Sequence, residues 1–520
     1  MKRFTLAFAL LVAVSAFGQQ LSETVNVEVI QVPVYVIGPD GSPIRGLKKD
    51  AFELYVDGFP KPIDYFDPVD VATAVKADEK RPERERRLYL LLFDLSCART
   101  DCQGLPGRIA RAQRAAAVAV DHSHLDSDLF AIATYTLNRG VVFATPFLKD
   151  RVAVHRAIST LSGSSGKDPL GLTVTPAERA SWMREEINDA SDEAKEMLAI
   201  RNDQAAQEAA QTLIGGVANQ DNVHEPLRRE AEDQMVNLGG VANRLARLEG
   251  QKHLVLFSDG FSSDLVHGGE NPVPSLDQAG GTDARAQLTL QKMLEAFQAA
   301  GVFLDAVDIE GLRSDIDTSF NNDSLQMMAH GTGGEFIQHR NDFASAVTDL
   351  TTRQQMVYLL GFDRHDLMHG KITVKVHGLP RGARLSYRQG FGEPASNGDV
   401  DPLQLADIVI NDRPQTGVSM AVGVQKDAIL VGISRKEIIP QLVPKEPWIE
   451  TMLYVFDQNG NAVIAKQKRI TFDLQTREQQ GPIVIGQKLQ LPPGQYTAKA
   501  VTRIGGTNSV GFAKTQFKVQ

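Results

Sequence analysis

The chain has 520 residues, well beyond the roughly 100 to 200 of one ordinary domain, so about three or four domains are expected. It carries 55 Lys and Arg against 64 Asp and Glu, a formal charge of −9, and is 42% hydrophobic, which excludes a disordered, collagen-like or membrane-embedded chain. An acidic balance lacks the global positive field that gathers phosphates and argues against nucleic acid as the main partner.

Residues 1–20 read MKRFTLAFALLVAVSAFGQQ. Lys2 and Arg3 lead, an apolar run follows from Phe4 to Val14, and Ala16 and Gly18 are spaced for cleavage before Gln19, the pattern of a Sec-type signal peptide over 1–18. The run is shorter than the about 20 residues of a stable anchor. No later segment is apolar enough to span a bilayer, so the expectation is an exported protein, periplasmic or secreted, with no integral membrane segment. The only cysteines are Cys97 and Cys102. An oxidising compartment permits a disulfide across that short loop, and two buried or reactive thiols are the other reading, because spacing alone does not fix Cβ geometry.

From Val25 the text alternates as strands do: VNVEVIQVPVYVIG, the turn PDGSP, then AFELYVDGFPKPIDYF with a turn at Asp57 and Gly58. This predicts a small antiparallel β unit over 19–70. The charged stretch within 71–87, VKADEKRPERERR, reads as a linker or exposed edge. LYLLLFD (88–94) is a continuous apolar run of the kind buried on both faces of a parallel sheet. A helix over about 108–125 follows, then strands LFAIATYT and VVFATPF, a helix over 150–161, the strand HLVLFSDG (253–260), a helix near 284–300 and the strand VFLDAVDI. Helices over 323–330 and 342–355 flank a short strand GEFIQ. Alternating strands and helices predict an α/β fold class, a doubly wound, mainly parallel sheet over 88–355. Residues 162–250, rich in Ala, Glu, Gln and Arg, are far too long for an ordinary connection and read as a helical insertion. Strands return at MVYLLGF, KITVKVHG and ARLSYRQGF. Those of 356–392 are expected to pair with 19–70 into one Ig-like sandwich around the α/β domain. After a linker over 393–402, residues 403–520 read as a C-terminal Ig-like β-sandwich, with a hairpin turn at Asn459 and Gly460.

Asp94-Leu95-Ser96-Cys97-Ala98 at the end of one strand, with FSDG (257–260) ending another, resembles the von Willebrand factor type A domain. The span from about Val25 to Gly392 is similar to the bacterial, acidobacterial-type VWFA-related family through VPVYVIGPDGSPIRGLKKDAFELYVDG, LYLLLFDLS, TPFLKDRVAVHRAI, GTGGEFIQHRNDF, VYLLGF and YRQGF. The resemblance implies a metal-ion-dependent adhesion site at the carboxyl ends of the strands, where open α/β sheets place ligands. There, two Ser, a Thr and two Asp offer oxygens to Mg²⁺, which wants about six in an octahedron, and a partner's carboxylate fills the open position. Asp94, Ser96 and Asp259 match that pattern. Ala98 replaces the second Ser and removes one ligand, so the site is degenerate. Thr173 or Thr175, in SGSSGKDPLGLTVTP, is the candidate for the Thr position, and Asp101 is a substitute ligand if the CARTDC loop folds back.

Plainer readings stand beside these. Asp94 and Asp259 at strand ends suit the capping of a loop or helix start, and Ser96 suits a local turn. His122 and His124 resemble a metal pair in text, yet sit near a helix end that favours His for its dipole. The long insertion suits a solvated helical face, a lid or a partner surface. No GxSxG elbow, HExxH or P-loop occurs. Serines follow Asp259 in GFSSD, but His253 starts the same strand, roughly 20 Å away at 3.3 Å per residue. The expectation is therefore a non-catalytic, adhesion-type module that binds an unidentified protein partner through its strand ends, with Mg²⁺ as the possible cofactor. Its alternatives are a metal-independent scaffold and, more remotely, a hydrolase.

Overall fold

The computed structural model describes residues 29–70, 86–96, 104–123, 128–161, 221–261, 264–267, 284–311, 323–338, 340, 342–364, 367–393, 400–425, 427–445, 447–472 and 481–519. The signal-peptide reading therefore lies outside the described residues, as do most of the 71–87 and 393–402 linkers and most of the insertion.

The apolar runs become the strands of one six-stranded sheet. These are β5 (Arg87–Asp94), β6 (Leu129–Thr136), β7 (Gly140–Leu148), β8 (Gln251–Ser258), β9 (Val302–Asp308) and β10 (Phe336–Ile337), in the order β10-β9-β8-β5-β6-β7. Every residue of β5, β8 and β9 is buried, which is why their text shows no alternation. One face packs on α3 (Asp221–Leu245), α5 (Ala284–Ala300) and α6 (Asp323–Thr332) through Met235, Val241, Met293, Phe297 and Leu325. The other packs on α1 (Leu105–Asp121), α2 (Arg151–Ser159) and α7 (Phe343–Arg353) through Ala112, Ala116, Val154, Val347 and Leu350. A one-turn helix, α4 (Asp264–His267), follows β8.

The expected fold class, α/β with a doubly wound, mainly parallel sheet, is overturned. Of the five sheets among the described residues, four are wholly antiparallel, and the six-stranded one is mixed because β7 runs antiparallel to β6. The chain is predominantly antiparallel β, with one helix-flanked mixed sheet. The physical reason is that apolar continuity reports burial on both faces, not strand direction, and most of the described strands lie outside that sheet.

The two ends of the span pair with each other. β1 (Val29–Ile37) lies between β11 (Met356–Asp363) and β13 (Arg384–Tyr387), with β4 (Tyr65–Asp70) beyond β11. A second sheet joins β2 (Phe52–Val56) and β3 (Phe59–Lys61) to β12 (Gly370–Val376) and β14 (Gly390–Phe391). Val32, Val34, Leu54, Tyr358, Leu360 and Ile372 fill the space between the sheets. The outer face of the first sheet meets the mixed sheet through Tyr35, Phe303 and Leu359. There His253 is buried between the rings of Tyr89 and Phe303, 2.9 Å from the Tyr35 hydroxyl and 3.3 Å from Asp305 Oδ2.

The C-terminal part opens with α8 (Pro402–Ile410), whose N-cap Asp401 accepts from Leu403 N. It continues as the sheet of β15 (Met420–Gln425), β16 (Ala428–Ile433) and β19 (Ile483–Lys488), with a short α9 (Arg435–Ile438). The second sheet holds β17 (Trp448–Phe456), β18 (Ala462–Thr471), β20 (Gly494–Ile504) and β21 (Val510–Val519). Leu403 and Ala406 of α8 enter the core of the mixed-sheet unit, while Leu405, Ile408 and Val409 cover Met452, Tyr454 and Val501. Arg86 donates two bonds to Asp407, at 3.0 and 2.7 Å. The last arginines of the supposed linker are thus buried structural cations: Arg86 holds α8, and Arg87, the first residue of β5, pairs with Asp128.

Lys252, on β8, is also buried, with Nζ donating to Leu248 O at 3.1 Å. Desolvation, and then the nearby Arg388 and Arg86 charges, push its pKa down to about 7. The unfolded lysine holds its proton to about pH 10.4, so between those values the unfolded chain binds more protons and stability rises with pH. Lys252→Met is expected to raise stability by on the order of 2 kcal/mol near neutral pH, and the gap to wild type should close by about pH 10. Urea midpoints across that range check this; a gap independent of pH would contradict it.

Candidate functional site

β5 and β8 are neighbours in parallel register, so their carboxyl ends reach the same rim. Asp94 ends β5 with its carboxylate almost fully buried. Oδ1 accepts from the backbone N–H and hydroxyl of Ser96, at 2.9 and 2.5 Å. Oδ2 accepts from Ser258 Oγ and Gln234 Nε2, both at 2.6 Å. Burial lifts the Asp94 pKa to about 6; the hydroxyl and amide donors pull it down, and the neighbouring Asp259 charge pushes it up again.

The loop after β8 is clamped as tightly. Ser258 Oγ accepts from Gly260 N at 2.9 Å, and Phe261 N donates to Ser324 Oγ at 2.9 Å. Gly260 has a φ of +69°, and a Cβ there would lie 2.8 Å from Leu325 Cγ, so the turn demands glycine. Asp259 Oδ2 accepts from Arg108 Nη2 at 2.9 Å, a pair with only 13% and 6% of its side chains exposed. Arg108 belongs to the first turn of α1, which starts at Leu105.

The structure therefore brings Asp94, Ser96 and Asp259 to one rim. Thr173, Thr175, Asp101, Ala98 and both cysteines, Cys97 and Cys102, lie outside the described residues, as does His124. His122 places Nδ1 2.9 Å from Val118 O of its own helix. His253 sits in the junction with the β1 sheet, against Tyr35 and Asp305, while the serines of GFSSD lie outside the described residues. Three participants were not legible as site residues: Ser258, Arg108 and Gln234. Ser258 stood next to Asp259 in FSDG. Gln234 is 140 positions from its acceptor and belongs to the text that reads as an insertion. Its helix α3 buries Ala231, Met235, Leu238 and Val241 in the core, so 221–245 is part of the unit.

As placed, the described members of this donor set, Asp94, Ser96 and Asp259, do not by themselves make a shell for Mg²⁺. Both Asp94 oxygens already accept two protein donors, a Gln amide occupies one approach to Oδ2, and a guanidinium holds Asp259. Among the described residues no group of three or more His, Cys, Asp or Glu side chains is gathered to hold a metal ion. The same bonds staple β5, β8, α1 and α3 together at the rim. Among the described residues no helix is long and apolar enough to cross a membrane.

No protein-family model and no curated protein matches the chain. Among solved structures it is similar to an aerotolerance-related membrane protein from Bacteroides fragilis NCTC 9343, at 13% identity over 51% of this chain and 97% of that one, with a TM-score of 0.26. BatB from Bacteroides thetaiotaomicron gives 12% identity over 52% of this chain and 98% of that one, with a TM-score of 0.24. The pilus adhesin SpaC from Lactobacillus rhamnosus GG gives 8% over 85% of this chain and 69% of that one, with a TM-score of 0.28. Likenesses at these scores carry neither fold nor function across.

Proposed function

We propose that the chain is an exported, non-catalytic protein that binds a protein partner through the rim bearing Asp94, Ser96 and Asp259, as its likeness in sequence to the VWFA-related family implies. The observation that supports this most is the stapling of that rim: buried carboxylates locked by Ser258, Gln234 and Arg108 hold the loop ends rigid, and a rigid surface loses little entropy on binding. The same saturation of Asp94 favours a partner contact that needs no divalent ion.

The start of α1 supplies a test. Gly107 is exposed and a Cβ there meets nothing within 4 Å, so Gly107→Arg adds bulk and charge to the rim without a clash. Crosslinked capture from envelope extract is expected to fall at least about tenfold for Gly107→Arg, the scale of a disrupted contact. Lys468→Glu, on the exposed strand β18, should leave capture unchanged. Capture untouched by Gly107→Arg but lost with Lys468→Glu would move recognition to the C-terminal sheets and favour the scaffold reading.

A further inference from the structure

The acidic rim has a cation of its own. Asp94 is buried, the Asp259 side chain is only 6% exposed, and the two are close enough that the charge of Asp259 acts on Asp94; two carboxylates so withdrawn from water repel strongly unless a positive charge answers them. Ser96, Ser258 and Gln234 supply dipoles to Asp94 but no charge. Among the described residues the positive charge comes from the Arg108 guanidinium, 2.9 Å from Asp259 Oδ2 and mostly withdrawn from solvent.

We propose that Arg108 is a tethered internal cation that takes the place of a divalent ion at this rim, so that the site is complete without metal and recognition of its partner is cation-independent. A guanidinium suits the task because it keeps its charge at any physiological pH and its planar fork matches a carboxylate. This deepens the rim-binding reading above and rests on it only for the word recognition; the charge substitution itself is testable on the isolated chain.

The experiment is thermal melting of the mature chain with millimolar MgCl₂, with MnCl₂ and with EDTA, for wild type, Asp94→Ala, Arg108→Lys, Arg108→Met, Asp259→Asn and Arg108→Met/Asp259→Asn. Wild type should be indifferent to all three additions, since an ion that does not bind the folded state cannot stabilise it. Arg108→Met should lower the folding equilibrium constant by at least about tenfold, as expected for a largely buried ion pair broken from one side. Arg108→Lys should retain most of the stability, and Asp259→Asn should offset much of the Arg108→Met loss, the signature of coupled partners. A saturable rise in the wild-type midpoint with Mn²⁺ that Asp94→Ala abolishes would overturn the proposal, and so would Arg108→Met and Asp259→Asn losses that simply add. None of these outcomes involves a partner, so they stand apart from failure of the capture experiment.

Discussion

Asp128→Ala is expected to destabilise the protein by about 3 to 5 kcal/mol, the scale of a buried ion pair broken from one side. Asp128 is fully buried and Arg87 is 3% exposed. Arg87 Nε donates to Asp128 Oδ1 at 2.9 Å, its Nη2 grips Oδ2, and Ser123 donates to the same oxygen. Without the carboxylate, the guanidinium keeps only a 3.3 Å bond to Gln354 O and the face of Tyr89. Removing both charges avoids the stranded cation, so Arg87→Met/Asp128→Leu should cost less than Asp128→Ala alone. Urea midpoints of the two variants decide it, and a double variant worse than the single would show that the pair contributes through packing and not through charge.

Gly334→Ala is expected to cost more than about 3 kcal/mol and to reduce the yield of folded protein sharply, because a backbone clash cannot relax as a side-chain one does. A Cβ at Gly334 would lie 2.1 Å from Leu304 O of β9, and one at Gly333, where φ is +84°, would lie 2.1 Å from Tyr387 O of β13. Ser386 Oγ also donates to Gly333 O at 2.5 Å. The two glycines let α6 turn into β10 while the β13 sheet presses on the turn. Gly423→Ala is the control: nothing lies within 4 Å of its Cβ, and its effect should be within about 1 kcal/mol. Equal losses at 334 and 423 would refute the steric account.

Much of the secondary structure was legible because burial writes itself into hydrophobic period. LYLLLFD became β5 and the alternating VIQVPVYVI became β1. Strand direction was not legible: the same apolar text serves β6 and its antiparallel neighbour β7, and the predominance of antiparallel pairing emerges only from the registers. Charge was misleading in a specific way. The run ending in Arg86 and Arg87 looks solvated, yet its partners Asp407 and Asp128 lie 321 and 41 positions away. At the rim, Asp94, Ser96 and Asp259 could be named from strand ends and likeness. Arg108 and Gln234 could not, because helix positions carry no mark of what they face across the fold.

The pairing of β1 with β11 has a consequence for the order in which the molecule takes shape. Val29 is partnered by Asp363, and Val34 by both Tyr358 and Tyr387, so apart from the turn that brings Ile44 N to Val36 O, the strand partners of the first described strand lie more than three hundred residues further along the chain. Closing so long a loop is entropically affordable only slowly and late. In the folded chain that late closure is anchored where Asp70 of β4 and Met356 of β11 lie side by side at the two ends of the mixed-sheet unit, so the apolar VIQVPVYVI waits on a docking surface made by segments that flank that unit.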